Sequence, residues 1–398
     1  MFSMQKEMNE LPLSGIRVIE FSHMVMGPSV GLILADLGAD VVKVEPIGGD
    51  KTRKLPGSGA GYFAMYNRNK RSICVDMKSD DGKEIVNKLV KDADVVVENF
   101  RPGALEKLGY GYEALSAVNP QLIYCSARGF LKGPYAHRTA LDEVVQMMGG
   151  LAYMTGPPGT PLRAGASVID VMGGMFGVIG ILSALEMRHR TGAGQVIKSS
   201  LYESTVFLMG QHMAQYAVTG SPAAPMPARV SAWAVYDVFK TKEDEKVFVG
   251  VVSDSQWQAF CGEFDLREFA ENTDMESNRG RVEQRDQIIP IVAEKIGSLT
   301  MQEVVSKLEN SGLPYAPISK PEDLFDNEHL VNSDGLLSID LPKGNSTKLP
   351  ALPISMKDER FGLRKNLPDA GEHTDELLLD LGYSEESIRA LKSAGKLQ

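Results

Sequence analysis

The sequence predicts an α/β protein. A large domain of open, parallel-sheet, Rossmann-like kind is joined to a smaller α+β domain. Three observations carry this. Short β-branched runs alternate with helical patterns from Ile16 to Ala127. A long run of small and apolar residues, Val171 to Leu185, is followed by a basic end, a Gly-rich turn and another strand-like run. A Pro/Ala stretch, Gly220 to Pro227, then separates these elements from a segment with hairpin character.

Taken in order, Ile16 to Phe21 (IRVIEF) suits a buried strand. After the loop Ser22 to Pro28 come a helical pattern, Val30 to Leu37, and a second strand, Asp40 to Glu45. Strand, helix and strand within about thirty residues form the βαβ unit of a parallel sheet. The first loop therefore lies at the carboxyl end of its strand, where open α/β sheets bind ligands. No GxGxxG follows that strand, which argues against a nicotinamide or flavin enzyme. A helix from Asp81 to Lys91 and a strand from Asp94 to Val97 repeat the pattern. Leu122 to Ala127 reads as a further strand and Glu143 to Met148 as a helix.

The stretch from Arg163 to Ser204 organises the rest. Asp170 precedes the apolar run, and Arg188-His189-Arg190 closes it, matching a helix with an acidic start and a cationic end. A largely buried helix is expected from Asp170 to Arg190, followed by the turn Gly192-Ala193-Gly194 and a strand from Val196 to Leu201. Asp170 has two readings. It caps the helix, or it is an ionised carboxylate that attacks an acyl group, with Gly173 and Gly174 clearing the first turn for a ligand.

Leu201 to Gln215 reads as an apolar helix. Beyond the linker, Val235 to Lys240 and Val247 to Val252 alternate around a charged turn as a hairpin. Helices are expected over Ser255 to Phe264, Arg281 to Ser298 and Met301 to Ser311, with Pro314 to Pro317 ending the block and a short helix from Lys320 to Leu324. The expected organisation is a large domain over 1–220, a small α+β domain over 228–325, and a C-terminal segment over 330–398. That segment includes a last amphipathic helix near Glu385 to Ser393.

The totals suit a soluble protein of 398 residues with 43% hydrophobic and 24% charged content. A net charge of −10 argues against nucleic acid or an anionic membrane as partner. Cys74, Cys125 and Cys261 are far apart and lack metal-ligand spacing, so reduced thiols, no metal and a cytoplasmic location are expected. The first ten residues show no apolar signal segment. The Val171–Leu185 run is too short and Gly-rich for a membrane span.

Several segments resemble one family. GASVIDVMGGMFGVIGILSALEMRHRTGAGQ is similar to the core of the family III CoA-transferases, whose nucleophilic aspartate falls at Asp170. Phe21-Ser22-His23-Met24-Val25-Met26-Gly27-Pro28 resembles the family's F-x-H-x-x-x-GP loop. Asn67 to Ser72 resembles its N-x-NKRS, Val75-Asp76-Met77-Lys78 its LDMK, Glu98 to Gly103 its ENFxPG, and GEHTDE its C-terminal signature. The resemblance runs from Leu11 to Lys396. It implies an open-ring subunit interlocked with a second copy as a homodimer. It also implies acyl-CoA and a small carboxylic acid as substrates, with no permanently bound cofactor. The CoA contacts it implies are His23, Val25, Met26, Val75, Met77, Lys78, Asn99, Phe100, Arg101, Lys107, Arg138 and Asp142. Lys70, Arg71, Lys78, Lys107 and Arg138 each read alone as surface charge; the resemblance supplies their convergence on CoA phosphates.

Within the family, transferases use the aspartate as nucleophile, with oxyanion donors here assigned to the N–H groups around Gly173 and Gly174. α-Methylacyl-CoA racemase instead pairs it with the histidine of a His-Asp. This chain has Leu141-Asp142 there, and no histidine in it is followed by aspartate, so the second base is missing. A non-catalytic CoA-binding protein is the third reading, against which the intact Asp170 speaks. Two departures are visible. The region Val252 to Gln256 lacks the glycine-rich loop of formyl-CoA transferase, and Pro46 replaces a CoA-contacting arginine. The first points away from formate–oxalate exchange and toward another short-chain acid; the second implies different contacts at the adenine end of CoA. Arg163 is a candidate for neutralising the far carboxylate of a dicarboxylic substrate such as succinate, or else for pairing with a surface carboxylate.

Overall fold

The computed structural model describes residues 11–229, 231–342 and 344–398; the N-terminal ten residues, on which the signal-segment reading rests, lie outside them. The chain divides into two compact units, Met1–Pro227 with Glu328–Gln398, and Ala228–Asn327.

The main sheet of the first unit has six strands: β1 (Arg17–Phe21), β2 (Asp40–Glu45), β3 (Lys70–Cys74), β4 (Val95–Glu98), β5 (Ile123–Arg128) and β6 (Gln195–Ser200). All pair in parallel, in the order β3-β2-β1-β4-β5-β6. Along the chain come α1 (Met26–Asp36), α2 (Tyr62–Tyr66), α3 (Asp80–Lys91), α4 (Ala104–Leu108), α5 (Tyr112–Val118), α6 (Asp142–Met148), α7 (Leu151–Thr155), α8 (Val168–Thr191) and α9 (Leu201–Thr219). Parallel neighbours need crossovers, which cover both faces of the sheet with helices. Strand side chains alternate accordingly. Ile19, Phe21, Val42 and Val96 join one core with Ile85, Leu89 and Leu115. Val18, Val41, Val95 and Ile123 join the other with Val30 and Leu34 of α1 and Val178 and Ile181 of α8.

Three features differ from the sequence reading. Helix α1 opens at Met26, not Val30, because Pro28 falls in the first turn, where a missing N–H goes unused. Strand β3 is fully buried although it carries Lys70, Arg71 and Ser72. Helix α8 is long and apolar enough to cross a membrane but is the crossover between β5 and β6, and only one face is covered. Met175, Ile179, Leu182 and Met187 stay exposed, because a crossover helix has the sheet on one side alone.

The second unit is an antiparallel sheet, β7 (Tyr236–Lys240), β8 (Lys246–Gly250) and β9 (Tyr315–Pro317), with α10 (Asp254–Glu263), α11 (Arg267–Ala270), α12 (Asn278–Glu283), α13 (Arg285–Gly297) and α14 (Met301–Asn310). Tyr315–Pro317, expected to end a helical block, is an edge strand, a position that tolerates Pro317. The helix expected over Arg281–Ser298 breaks at Gln284. Trp257, Phe260, Ile288, Val292 and Leu308 fill this core.

The chain then returns to the first unit with α15 (Glu328–Asn332), two short hairpins, α16 (Thr374–Asp380) and α17 (Glu385–Ser393). It seals the β3 edge: the N–H groups of His373 and Gln398 donate to Ser72 O and Cys74 O.

Candidate active site

In a sheet ordered 3-2-1-4-5-6 the chain reverses direction between β1 and β4, and loops there diverge into a crevice at the carboxyl ends. The two loops meet at that point. His23 N donates to Asn99 Oδ1 at 3.0 Å, Asn99 Nδ2 donates to His23 O at 2.8 Å, and the His23 ring lies edge-on to Phe100 with centroids 5.1 Å apart. Burial holds the imidazole below its ordinary range, against the pull of Asp50. His23, Asn99 and Phe100 are thus brought together, and Met77 joins Phe100 in one apolar cluster. Tyr110 stacks on Phe21 and donates to Met77 O. Val75 is buried beneath the returning chain, bridged to Leu397.

Asp170 lies in the first turn of α8, in its third position, and does not cap the helix. The cap comes from another element. Asp142, at the start of α6, is buried, and its Oδ2 accepts from Ile169 N at 2.9 Å and Asp170 N at 3.2 Å. Its Oδ1 accepts from Gln146 and, at 3.3 Å, from Arg163. Four donors of the chain itself therefore occupy the Asp142 carboxylate. Among the described residues Asp170's own carboxylate has no hydrogen-bond partner. Burial pushes it up to about 7, Asp142 adds to the rise, and Arg163 opposes it. The expectation of a carboxylate ionised by its helix terminus alone is corrected: desolvation and a like charge outweigh that pull.

Gly173 and Gly174 are buried against α1. A Cβ on Gly173 would meet Met26 Cε at 2.7 Å; one on Gly174 would meet Ser29 Cβ at 2.8 Å and Met26 O at 3.0 Å. The glycines let two helices approach and do not open the first turn to a ligand. Both lie inside the helix, so their N–H groups serve the i−4 carbonyls and are not oxyanion donors. Contacts advance together along the two helices, Gly174 at Met26 and Gly177 at Val30, so α1 and α8 run the same way. Asp170, one turn ahead of Gly174, is then level with the turn before Met26. Helix α1 starts there with no side-chain cap and no acidic residue in its first turn, which leaves N–H donors for an external acceptor. Met26 and Ile169 share an apolar floor with Ala127, Phe130, Val145 and Leu201.

Arg163 is committed inside the chain, donating to Glu143 at 2.8 Å as well as to Asp142. Lys78, Arg101, Lys107 and Arg138 are exposed and have no carboxylate partner among the described residues. Arg138 lies over the Tyr135 and Phe130 rings, at 5.0 and 6.0 Å, on the side of the apolar floor. Lys70 and Arg71 are not surface charges: both are buried, paired with Glu20 and with Asp40 and Glu376.

Two residues near Asp170 escaped the sequence reading. Tyr66 ends α2, and burial pushes its hydroxyl up to about 12, with Asp170, Tyr62 and Asp142 adding to the rise. Gln146 is buried, and its Oε1 accepts from Ala164 N at 2.9 Å. The only sequence signal for Gln146 is its place one helical turn after Asp142.

The comparisons with known proteins identify the family. A profile described as CoA-transferase family III matches residues 13–374. The chain is 35% identical over 400 residues to an acyl-CoA transferase of Fusarium pseudograminearum, covering 96% of this chain and 88% of that one. It is 31% identical over 400 residues to the succinyl-CoA:glutarate CoA-transferase of Homo sapiens, covering 98% and 91%. A crystal structure of a CAIB/BAIF family protein from Brucella suis superposes with a TM-score of 0.82 at 34% identity, covering 93% and 99%. The chain belongs to CoA-transferase family III, and it is an enzyme of that class acting on acyl-CoA.

Proposed function

We propose that this enzyme moves CoA from a dicarboxylyl-CoA donor such as succinyl-CoA to a short-chain carboxylic acid, with Asp170 as nucleophile. The observation that carries the reading is the release of Asp170 from capping by Asp142, which leaves a desolvated carboxylate with no hydrogen-bond partner among the described residues, level with the open first turn of α1. A carboxylate so raised is more basic than a surface one, which favours attack on a thioester.

One Asp170 oxygen attacks the donor carbonyl, the C–S bond breaks, and CoA leaves as thiolate from an aspartyl–acyl anhydride. The thiolate attacks the Asp170 carbonyl and releases the donor acid, leaving an aspartyl-CoA thioester. The acceptor carboxylate displaces CoA from it, and the thiolate recaptures the acceptor's acyl group, restoring Asp170. Each step develops an oxyanion, for which the N–H groups opening α1 replace the Gly173 and Gly174 donors. Lys78, Arg101, Lys107 and Arg138 supply exposed positive charge for CoA phosphates. The dicarboxylic donor rests on the relative named for succinyl-CoA and glutarate. Arg163, already paired, is not its counter-charge.

The exposed apolar faces of α8 and α9, including Ile179 at 56% and Phe207 at 71% exposure, fit burial against a second copy, as in the interlocked homodimer. The test is intact-protein mass spectrometry after incubation with a panel of acyl-CoA donors and then hydroxylamine. A hydroxamate on the peptide carrying Asp170, with a dicarboxylyl-CoA and not with formyl-CoA, is the expected result. No label on Asp170, together with exchange of an α-methylacyl-CoA α-proton into deuterated water, would replace the transferase reading by the racemase one.

A further inference from the structure

Beneath the stretch Ser22–Pro28, which runs into the first turn of α1, lies a group of buried acidic and basic side chains that no step above uses. Glu20 of β1, Lys43 of β2 and Lys70 of β3 are each fully buried. Lys43 Nζ lies 3.4 Å from Glu20 Oε1 and 3.2 Å from Asp50 Oδ2, and Lys70 Nζ lies 2.8 Å from Glu20 Oε2. With Asp50 the charges balance. Lys70 Nζ also donates to Asn67 Oδ1 at 3.2 Å, and the other donors of the two lysines hold the chain on either side of the turn into α1. Lys43 Nζ donates to Ser22 O at 2.7 Å, and Lys70 Nζ donates to Pro28 O at 3.0 Å. Glu20 Oε1 also accepts from Ser22 Oγ at 2.6 Å. Asp50 extends the hold: its Oδ1 accepts from Thr52 N, and Thr52 Oγ1 accepts from Met24 N at 3.1 Å. Met24 itself is in the left-handed region, at φ 64°, a conformation that needs such external support.

The cluster also fixes how close the helix lies. A Cβ on Gly31 would fall 1.6 Å from Glu20 Oε2, so α1 lies directly on the carboxylate. Buried ion pairs add little stability over well-packed apolar side chains, because desolvation offsets the attraction. What an apolar replacement could not do is hold Ser22 O and Pro28 O from below.

We propose that Glu20, Lys43 and Lys70 are positioning residues, a buried charged clamp that sets the stretch Ser22–Pro28, and with it the open first turn of α1, against Asp170. This rests on the reading of Asp170 as nucleophile.

The test compares wild type with the double variant Glu20→Gln, Lys70→Met, which removes one anion and one cation and leaves Lys43 opposite Asp50. The probe is the acyl-CoA donor that labels Asp170 in wild type, followed by hydroxylamine. The expected result is a donor KM within about twofold and a kcat lower by about ten- to a hundredfold. Asp170 labelling slows in parallel, and amide hydrogen exchange quickens over residues 22–31 alone. A kcat loss that only follows the fraction folded overturns the proposal, as does unchanged labelling. Should the double variant fail to fold, Ser22→Ala keeps every charge and deletes one hydroxyl held by Glu20. It is expected to lower kcat about fivefold at temperatures where the variant stays folded, beyond the fall in unfolding midpoint that loss of one buried hydrogen bond brings, and wild-type kcat there overturns the proposal. If no donor labels Asp170 in wild type, the nucleophile reading fails, and the clamp falls with it.

Discussion

Burial and the Asp142 charge hold the Asp170 carboxyl near 7, whereas in the unfolded chain the same group ionises near the ordinary value of 3.8. The folded state binds the proton more tightly. Its contribution to stability is therefore complete below about 3.8 and is lost as pH rises toward about 7. Asp170→Asn removes this titration. The variant should lose transferase activity, unfold like wild type near the acid end, and become the more stable protein at neutral pH, by about 2–4 kcal/mol. Thermal melts across that range check the sign. Because only the ionised form attacks, kcat/KM of wild type should rise through an acid limb near 7. Asp142→Asn keeps the shape but removes the like charge, so that limb should move to lower pH. The altered cap should cost about 1–3 kcal/mol; a pH–rate profile and a denaturation curve read both. Asp170 stood out in the sequence because a lone acid precedes a small-rich run. Asp142 was named only through the resemblance, as a CoA contact; its capping role was not legible, because the N–H groups it caps are 27 and 28 residues away and nothing local marks the pairing. Lys70 misled for a related reason: its counter-ion Glu20 is on another strand.

Helices α1 and α8 meet through glycines, and the neighbours differ in kind. The atoms opposing a Cβ on Gly173 belong to the flexible end of Met26, while those opposing Gly174 include Met26 backbone. Gly173→Ala should therefore be tolerated, whereas Gly174→Ala should cost about 1–3 kcal/mol as overpacking. It should also lower kcat, since the helix it displaces carries the open turn. Equilibrium unfolding of both variants separates the cases. At this scale periodicity located most strands and helices of the first unit to within a few residues. It missed β3 because a strand buried with its lysine, arginine and serine does not look apolar. It misjudged α8 because composition alone cannot tell a helix covered on both sides from one covered on one.

For the molecule as a whole, α8 and α9 present Met175, Ile179, Phe207, Met213 and Tyr216 to the exterior. Sedimentation should give twice the chain mass at micromolar concentration. Ile179→Asp should shift it toward the monomer with little change in far-UV circular dichroism, since that side chain is not in the core of its own chain. The proposal of an interlocked dimer rests on resemblance, because composition carries no record of how two chains thread. The sheet edge has a consequence for synthesis. Ser72 and Cys74 of β3 receive their outer hydrogen bonds from His373 and Gln398, so the first unit is discontinuous and stays unfinished while the ribosome makes the second. The second unit, Ala228–Asn327, is contiguous and draws its core from its own residues. A nascent chain can thus mature in the middle first. The edge with Lys70 and Arg71 waits uncovered until the last segment docks, the interval in which unpaired strands are open to wrong partners.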